Sequence, residues 1–191
     1  MDIRPMTPSD FNAVIRIHER VLPTATARMG ILSFFYKTMI SNPFLHIALV
    51  ATENKRIVGA ITATRDAHQT QTFLSRPSLL FPVLSAVMTR RITIRELIDR
   101  LLTERAILAL AHPYQTILTL IVDIPWQRNG IGKKLVSALP MRGTLYVDTE
   151  TSNAKAQSFY ERLGFRFIKT IRSSIVAVKT LNTAPKRKIL G

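Results

Sequence analysis

The 191-residue chain predicts an α/β fold built on one sheet, and three observations predict it. Leu45 to Thr52 and Ile57 to Thr64, both rich in branched residues, flank the polar turn Glu53-Asn54-Lys55-Arg56 and read as an antiparallel hairpin. Thr116 to Ile124 (TILTLIVDI) is a nearly continuous apolar strand, as expected in the middle of a sheet covered on both faces. In the last third, strand and helix patterns alternate. The length suits a single domain over 1–191, and 47% hydrophobic against 20% charged residues supply a core.

Each element has a local reason. Ile3 and Arg4 suggest a short first strand, and Thr7-Pro8-Ser9-Asp10 is a helix start with a hydroxyl cap, Pro at the first position and an acid in the first turn. Phe11, Val14, Ile15, His18 and Leu22 then share one face, where His18 is expected as a hydrogen-bonded core histidine. A second helix is expected from about Thr26 to Ile40, stopped by Ser41-Asn42-Pro43. Residues 66–113 read as a helical insertion: Gln69 to Thr72 as polar loop, Pro77 to Arg90 as helix, and Thr93-Ile94-Arg95-Glu96 as a capping box. The helix it opens places Ile94, Leu97, Ile98, Leu101 and Leu102 on a face expected to rest on the core. Its other face spaces Arg95 with Asp99, Glu96 with Arg100 and Arg100 with Glu104 four apart. Thr144 to Thr149 alternates as a strand, Ser152 or Asn153 caps a helix bearing Ala156, Phe159, Tyr160 and Leu163, Gly164 ends it, and Phe165 to Ile171 begins another strand.

Composition removes whole classes of chemistry. There is no cysteine, hence no disulfide, thiolate metal site or cysteine nucleophile. His18, His46, His68 and His112 show no short-range ligand spacing, so no metal is expected. Lys plus Arg number 27 against 12 Asp plus Glu, and the net charge of +15 favours anions without choosing among nucleic acid, phosphorylated cofactors and anionic membrane. The start Met-Asp-Ile-Arg-Pro is no signal peptide, and the longest apolar stretch, Leu79 to Met88, is broken by Pro82 and Ser85; a cytoplasmic protein without a transmembrane segment is expected. The basic tail 185–191 reads as a solvated end.

The informative segment is Pro125-Trp126-Gln127-Arg128-Asn129-Gly130-Ile131-Gly132-Lys133-Lys134, a glycine-bearing turn running from a strand into a helix. Such a turn converges backbone N–H groups on a phosphate, and Arg128, Lys133 and Lys134 add positive potential. A nucleotide-triphosphate loop is excluded, because Gln127 stands where its first glycine would be and Lys134 where Ser or Thr follows the lysine. A dinucleotide fingerprint is excluded by Leu135 at its third glycine place. Q-R-N-G-I-G after a strand resembles the acyl-CoA pyrophosphate loop [QR]-x-x-G-x-[GA] of the GNAT superfamily of N-acyltransferases, and N-A-K-A-Q-S-F-Y-E-R-L-G-F resembles that superfamily's second CoA-binding motif, N-x-x-A-x-x-x-Y-x-x-x-G-F.

The resemblance implies a mixed, mostly antiparallel central sheet of about six to seven strands flanked by helices, with strands 6 and 7 at Ile168 to Leu181 and the 66–113 insertion between strands 3 and 4, beside the acceptor pocket. It implies acetyl-CoA as co-substrate, bound by Leu120, Ile121, Val122, Ile124, Gln127, Arg128, Asn129, Gly130, Ile131, Gly132, Lys133, Asn153 and Tyr160. A backbone N–H within Leu120 to Val122 would meet the oxyanion, and Tyr160 the departing thiolate. For the base, Asp123 and Glu150 stand beside Asp148, Asp66, His112 and a water chain. The expected function is direct transfer of an acetyl group to a small-molecule or peptide primary amine, since no cysteine can carry it. Two alternatives remain open: a non-catalytic CoA-binding regulatory or peripheral module, and an acetyltransferase directed at a polyanion such as aminoacyl-tRNA. Nucleic acid is not the favoured partner, and a homodimer is left open.

Overall fold

A computed structural model describes residues 1–22, 31–74, 88–89, 93–110 and 115–181. Seven strands form one sheet in the order β1-β2-β3-β4-β5-β7-β6: β1 (Asp2–Pro5), β2 (His46–Glu53), β3 (Arg56–Thr64), β4 (Thr116–Val122), β5 (Gly143–Glu150), β6 (Arg166–Ile171) and β7 (Ser174–Leu181). Among the described residues, only the β4–β5 pair is parallel, so the sheet is mixed and mostly antiparallel, as expected.

Alternation along the strands divides the core between two faces. On one, Val50, Ala60 and Ile121 meet α1 (Phe11–Val21) and α2 (Leu32–Ser41) through Val14, Ile17, Leu32, Phe35, Tyr36 and Met39. On the other, Ala51, Val58, Ile61 and Ile117 meet α5 (Ile131–Ser137) and α6 (Ala154–Arg162) through Ile131, Leu135, Val136 and Tyr160. His18 is 1% exposed and its Nδ1 lies 2.7 Å from the Tyr36 hydroxyl, the satisfied core histidine the sequence predicts. Ahead of α1, Pro8–Asp10 forms a 3-10 turn in which the Asp10 carboxylate accepts from the Thr7 backbone N–H and from the Arg4 guanidinium.

Between β3 and β4 the structure departs from the sequence reading twice. Gln69 to Thr72, expected as loop, belongs to a helix, α3 (Ala67–Leu74). Its start is fixed by Asp66, whose carboxylate accepts from the His68 backbone N–H and the Gln69 side-chain amide, a cap that outweighs the polar composition. The capping box at Thr93 forms and opens α4 (Ile94–Leu108), yet the apolar face expected on the core is open: Ile94 is 62%, Ile98 51%, Leu101 49% and Leu102 43% exposed. Among its described side chains, Thr103 and Ile107 are buried, the latter clustered with Ala67, Ile171 and Val176. Asp99 pairs with Arg172 in the β6–β7 turn instead of a neighbour four residues away. The start of the second expected helix, most of Pro77 to Arg90, His112 and the tail 185–191 lie outside the described residues. Among the described residues, no helix is long and apolar enough to cross a membrane.

Candidate active site

The site begins with a fault in the sheet. Thr62 pairs with Thr119 and Ala63 with Ile117, so Leu118 stands opposite no β3 residue and forms a bulge. A bulge bends its strand and sharpens the local twist. Pairing of β4 with β5 stops at that point, being confined to Thr116 with Tyr146 and Ile117 with Val147. Strand β5 meanwhile pairs with β7 along its whole length, Gly143 to Glu150. Beyond Ile117 the two central strands therefore diverge, leaving the β5-facing edge of β4 open.

Which N–H groups reach that opening follows from the ladder. The Asp123 N–H donates to the Val58 carbonyl at 2.9 Å. Alternation then points the Ile121 N–H at β3, and those of Leu120 and Val122 into the opening. The side chains divide likewise: Ile121 packs on the α1/α2 face, whereas Leu120 and Val122 pack on the α5/α6 face.

Past β4, Ile124–Trp126 forms a 3-10 turn whose first N–H is accepted by the Asp123 carboxylate, and the Gln127 side-chain amide donates to the Val122 carbonyl at 3.0 Å. Arg128 (φ 65°) and Gly130 (φ 74°) both adopt the left-handed conformation, turning the chain abruptly into α5, with Asn129 between them. No side chain caps α5, so its first-turn N–H groups, Ile131 to Lys133, face outward without an intrahelical acceptor. The two glycines have different reasons. A Cβ on Gly130 would meet nothing within 4 Å, and its requirement is the positive φ; a Cβ on Gly132 would lie 3.1 Å from the Phe159 ring, so this glycine sets the approach of α5 to α6.

Helix α6 supplies the opposite wall. The Asn153 side chain caps it by accepting from the Ala156 N–H at 3.0 Å. Tyr160 is 6% exposed between Phe159 and Phe165, with edge-to-face ring contacts at 5.1 and 5.3 Å. Burial, reinforced by the Asp148 carboxylate, raises the Tyr160 phenol well above its ordinary value. The group thus stays protonated as a donor, suited to stabilise a thiolate by hydrogen bonding rather than to surrender its proton outright.

Several of the carboxylates expected as base have structural commitments of their own. Asp123 is held by Arg20 at 3.0 Å and by its capping bond to Ile124, on the α1 side of the sheet. Glu150 ends β5 exposed, with Ser152 donating to it at 3.4 Å, and Asp66 caps α3. The mouth of the opening gathers elements the sequence left unrelated. The Thr151 N–H at the end of β5 donates to the Ser173 carbonyl in the β6–β7 turn, and that turn holds Asp99 of α4 through Arg172 and Ser173.

Residues 95–167 match the family model described as an acetyltransferase (GNAT) domain, a span running from α4 through the loop and α6. No curated protein matches the chain. Among solved structures, the fold is similar to an aminoglycoside 6'-acetyltransferase type Ii (17% identity, 97% of this chain and 100% of that one, TM-score 0.61). It is also similar to the ribosomal-protein-S18-alanine N-acetyltransferase from Escherichia coli (16%, 97% of each chain, 0.58). A third likeness is to a PaiA N-acetyltransferase from Thermoplasma acidophilum in complex with coenzyme A (13%, 94% and 98%, 0.58). Residues 95–167 thus match a GNAT acetyltransferase domain, and the chain as a whole shares the fold of these N-acetyltransferases.

Proposed function

We propose that the protein transfers an acetyl group from acetyl-CoA directly to a primary amine bound at the open end of the β4–β5 divergence. The observation that carries this reading is the pair of outward N–H groups on Leu120 and Val122, beyond the point where β4 stops pairing with β5, with the uncapped α5 packed on the sheet face that carries the Leu120 and Val122 side chains. The residues present suit acetyl-CoA: Gln127 to Lys133 for the pyrophosphate, Leu120, Val122 and Ile124 along the pantetheine, and Asn153 and Tyr160 across from them. A donor on β4 stabilises the oxyanion, and the Tyr160 hydroxyl stabilises the departing sulfur. Glu150, at the mouth, takes the amine proton directly or through water; Asp123, committed to Arg20, is the weaker choice.

The insertion would face the acceptor. Its helix α4 is fastened to the β6–β7 turn beside the end of β5, and its exposed Ile98, Leu101 and Leu102 offer an apolar wall there. The test is thiol release from acetyl-CoA across a panel of primary amines, which has no protein background because the chain lacks cysteine. A melt with acetyl-CoA at 100 times its dissociation constant should show stabilisation of about 2.7 kcal/mol. Stabilisation without thiol release for any amine would favour the non-catalytic module.

A further inference from the structure

On the α1 side of the sheet, away from α5, an open groove of about 420 Å³ lies between α1 and the β2–β3 turn. Cations far apart in sequence line it: Arg4 from β1, Arg16 and Arg20 from α1, Lys55 from the turn and Arg56 from β3. Its carboxylates are Asp10 and Asp123, and both are committed, Asp10 to Arg4 at 2.7 Å and Asp123 to Arg20 at 3.0 Å. Arg16, Lys55 and Arg56 have no carboxylate partner among the described residues, so the groove concentrates three uncompensated positive charges.

The turn that delivers one of them is unusual. Asn54 (φ 49°) and Lys55 (φ 63°) form a two-residue hairpin loop in which both residues are left-handed, a conformation whose second place ordinarily falls to glycine. A lysine there places an ammonium in the groove at the expense of backbone comfort. Strain retained at a lined concavity points to a ligand.

We propose that this groove is an anion site for a phosphate-bearing ligand, separate from the acetyl-CoA loop. A single carboxylate would offset one of the three charges; a phosphoryl dianion, pyrophosphate or successive phosphodiesters would offset two or more, and guanidinium forks match phosphate oxygens in pairs. The paired Arg4 and Arg20 form fixed walls, while the exposed Arg16, Lys55 and Arg56 make the contacts. The loop leading to α5 shares only Asp123 with the groove, and α5 itself packs on the other face.

The probes are inorganic pyrophosphate and a labelled single-stranded RNA of about ten nucleotides, each titrated against the 191-residue chain at about 0.1 M salt, first without CoA and then with CoA saturating so that the donor loop is filled. At least one should bind. Lys55→Gly should weaken it about fivefold and raise the melting temperature, because glycine accepts the left-handed turn that lysine strains. Arg16→Gln with Arg56→Gln should weaken it at least tenfold, while the remote pair Arg166→Gln with Lys169→Gln changes it less than twofold. Tighter RNA binding that depends on the groove residues identifies a nucleic-acid backbone; pyrophosphate binding alone identifies a small phosphorylated molecule. Binding of neither probe, loss of binding when CoA is added, or equal losses from the groove and remote pairs would overturn the assignment.

Discussion

Replacing Tyr160 with phenylalanine separates a catalytic hydroxyl from a core aromatic. The ring is 6% exposed and held edge-to-face by Phe159 and Phe165, contacts that phenylalanine keeps. The hydroxyl donates to no protein group among the described residues, so its removal should break no hydrogen bond among them. Stability should therefore change by less than about 0.5 kcal/mol, a shift of about 2 °C or less for a chain of this size. If the hydroxyl meets the departing sulfur, turnover at saturating acetyl-CoA and amine should fall about 10- to 1000-fold while acetyl-CoA affinity holds. The raised phenol adds a second expectation: it stays protonated on the alkaline side, so turnover should show no loss from tyrosine ionisation up to about pH 10. Steady-state rates, a calorimetric titration and a melt of the same variant decide the matter. Wild-type turnover with an unchanged melt would remove Tyr160 from the chemistry, and a melt lowered by more than about 4 °C would show the hydroxyl to be structural.

Three further outcomes are expected. Gly130→Ala should cost about 1 kcal/mol of stability through its positive φ and weaken acetyl-CoA at least tenfold, whereas Gly132→Ala should loosen the α5–α6 contact at Phe159 and lower stability and affinity together, both read by titration and melt. Burial pushes the His18 imidazole down to about 4, so the unfolded chain takes up its proton first; stability present above about pH 6.5 should be lost on acidification toward pH 4, by about 3 kcal/mol, and His18→Gln should flatten that part of a pH-dependent urea profile. On α4, Ile107→Ala should cost about 2 to 4 kcal/mol, whereas Ile98→Ala and Leu101→Ala should each cost well under 1 and change amine preference in the thiol-release assay instead.

What the sequence discloses here is what is encoded locally. The loop from Gln127 to Gly132 and the helix from Asn153 to Gly164 are read directly, because cap, positive-φ glycine and apolar stripe are each decided within a few residues. The helix at Ala67–Leu74 hid behind a polar string, although Asp66 was its signal. Periodicity showed that α4 is amphipathic but not what covers its stripe, since that depends on which elements fold against it. The basic groove was beyond a linear reading altogether: residues 4, 16, 20, 55 and 56 look scattered until β1 pairs with β2 and α1 packs beneath them.

The divergence of β4 from β5 is the least local feature of all, and β4 shows how it is sustained. A strand can present free N–H groups on one edge only if its other edge is held firmly, or it would slide to close the gap. After the bulge, the Thr119 hydroxyl meets that of Thr62 at 2.8 Å across the β3–β4 ladder and also engages Tyr36, which is bonded in turn to His18. These buried polar groups tie β4 to β3 and to α1 and α2 in one register, since a one-residue slip would leave each unsatisfied in the core. The apolar sequence TILTLIV thus carries two polar residues with assigned work: Thr116 donates to the Tyr146 carbonyl where β4 and β5 still touch, and Thr119 anchors the strand where they part. An all-aliphatic strand would fill the same volume, but nothing in it would oppose the slip that closes the opening.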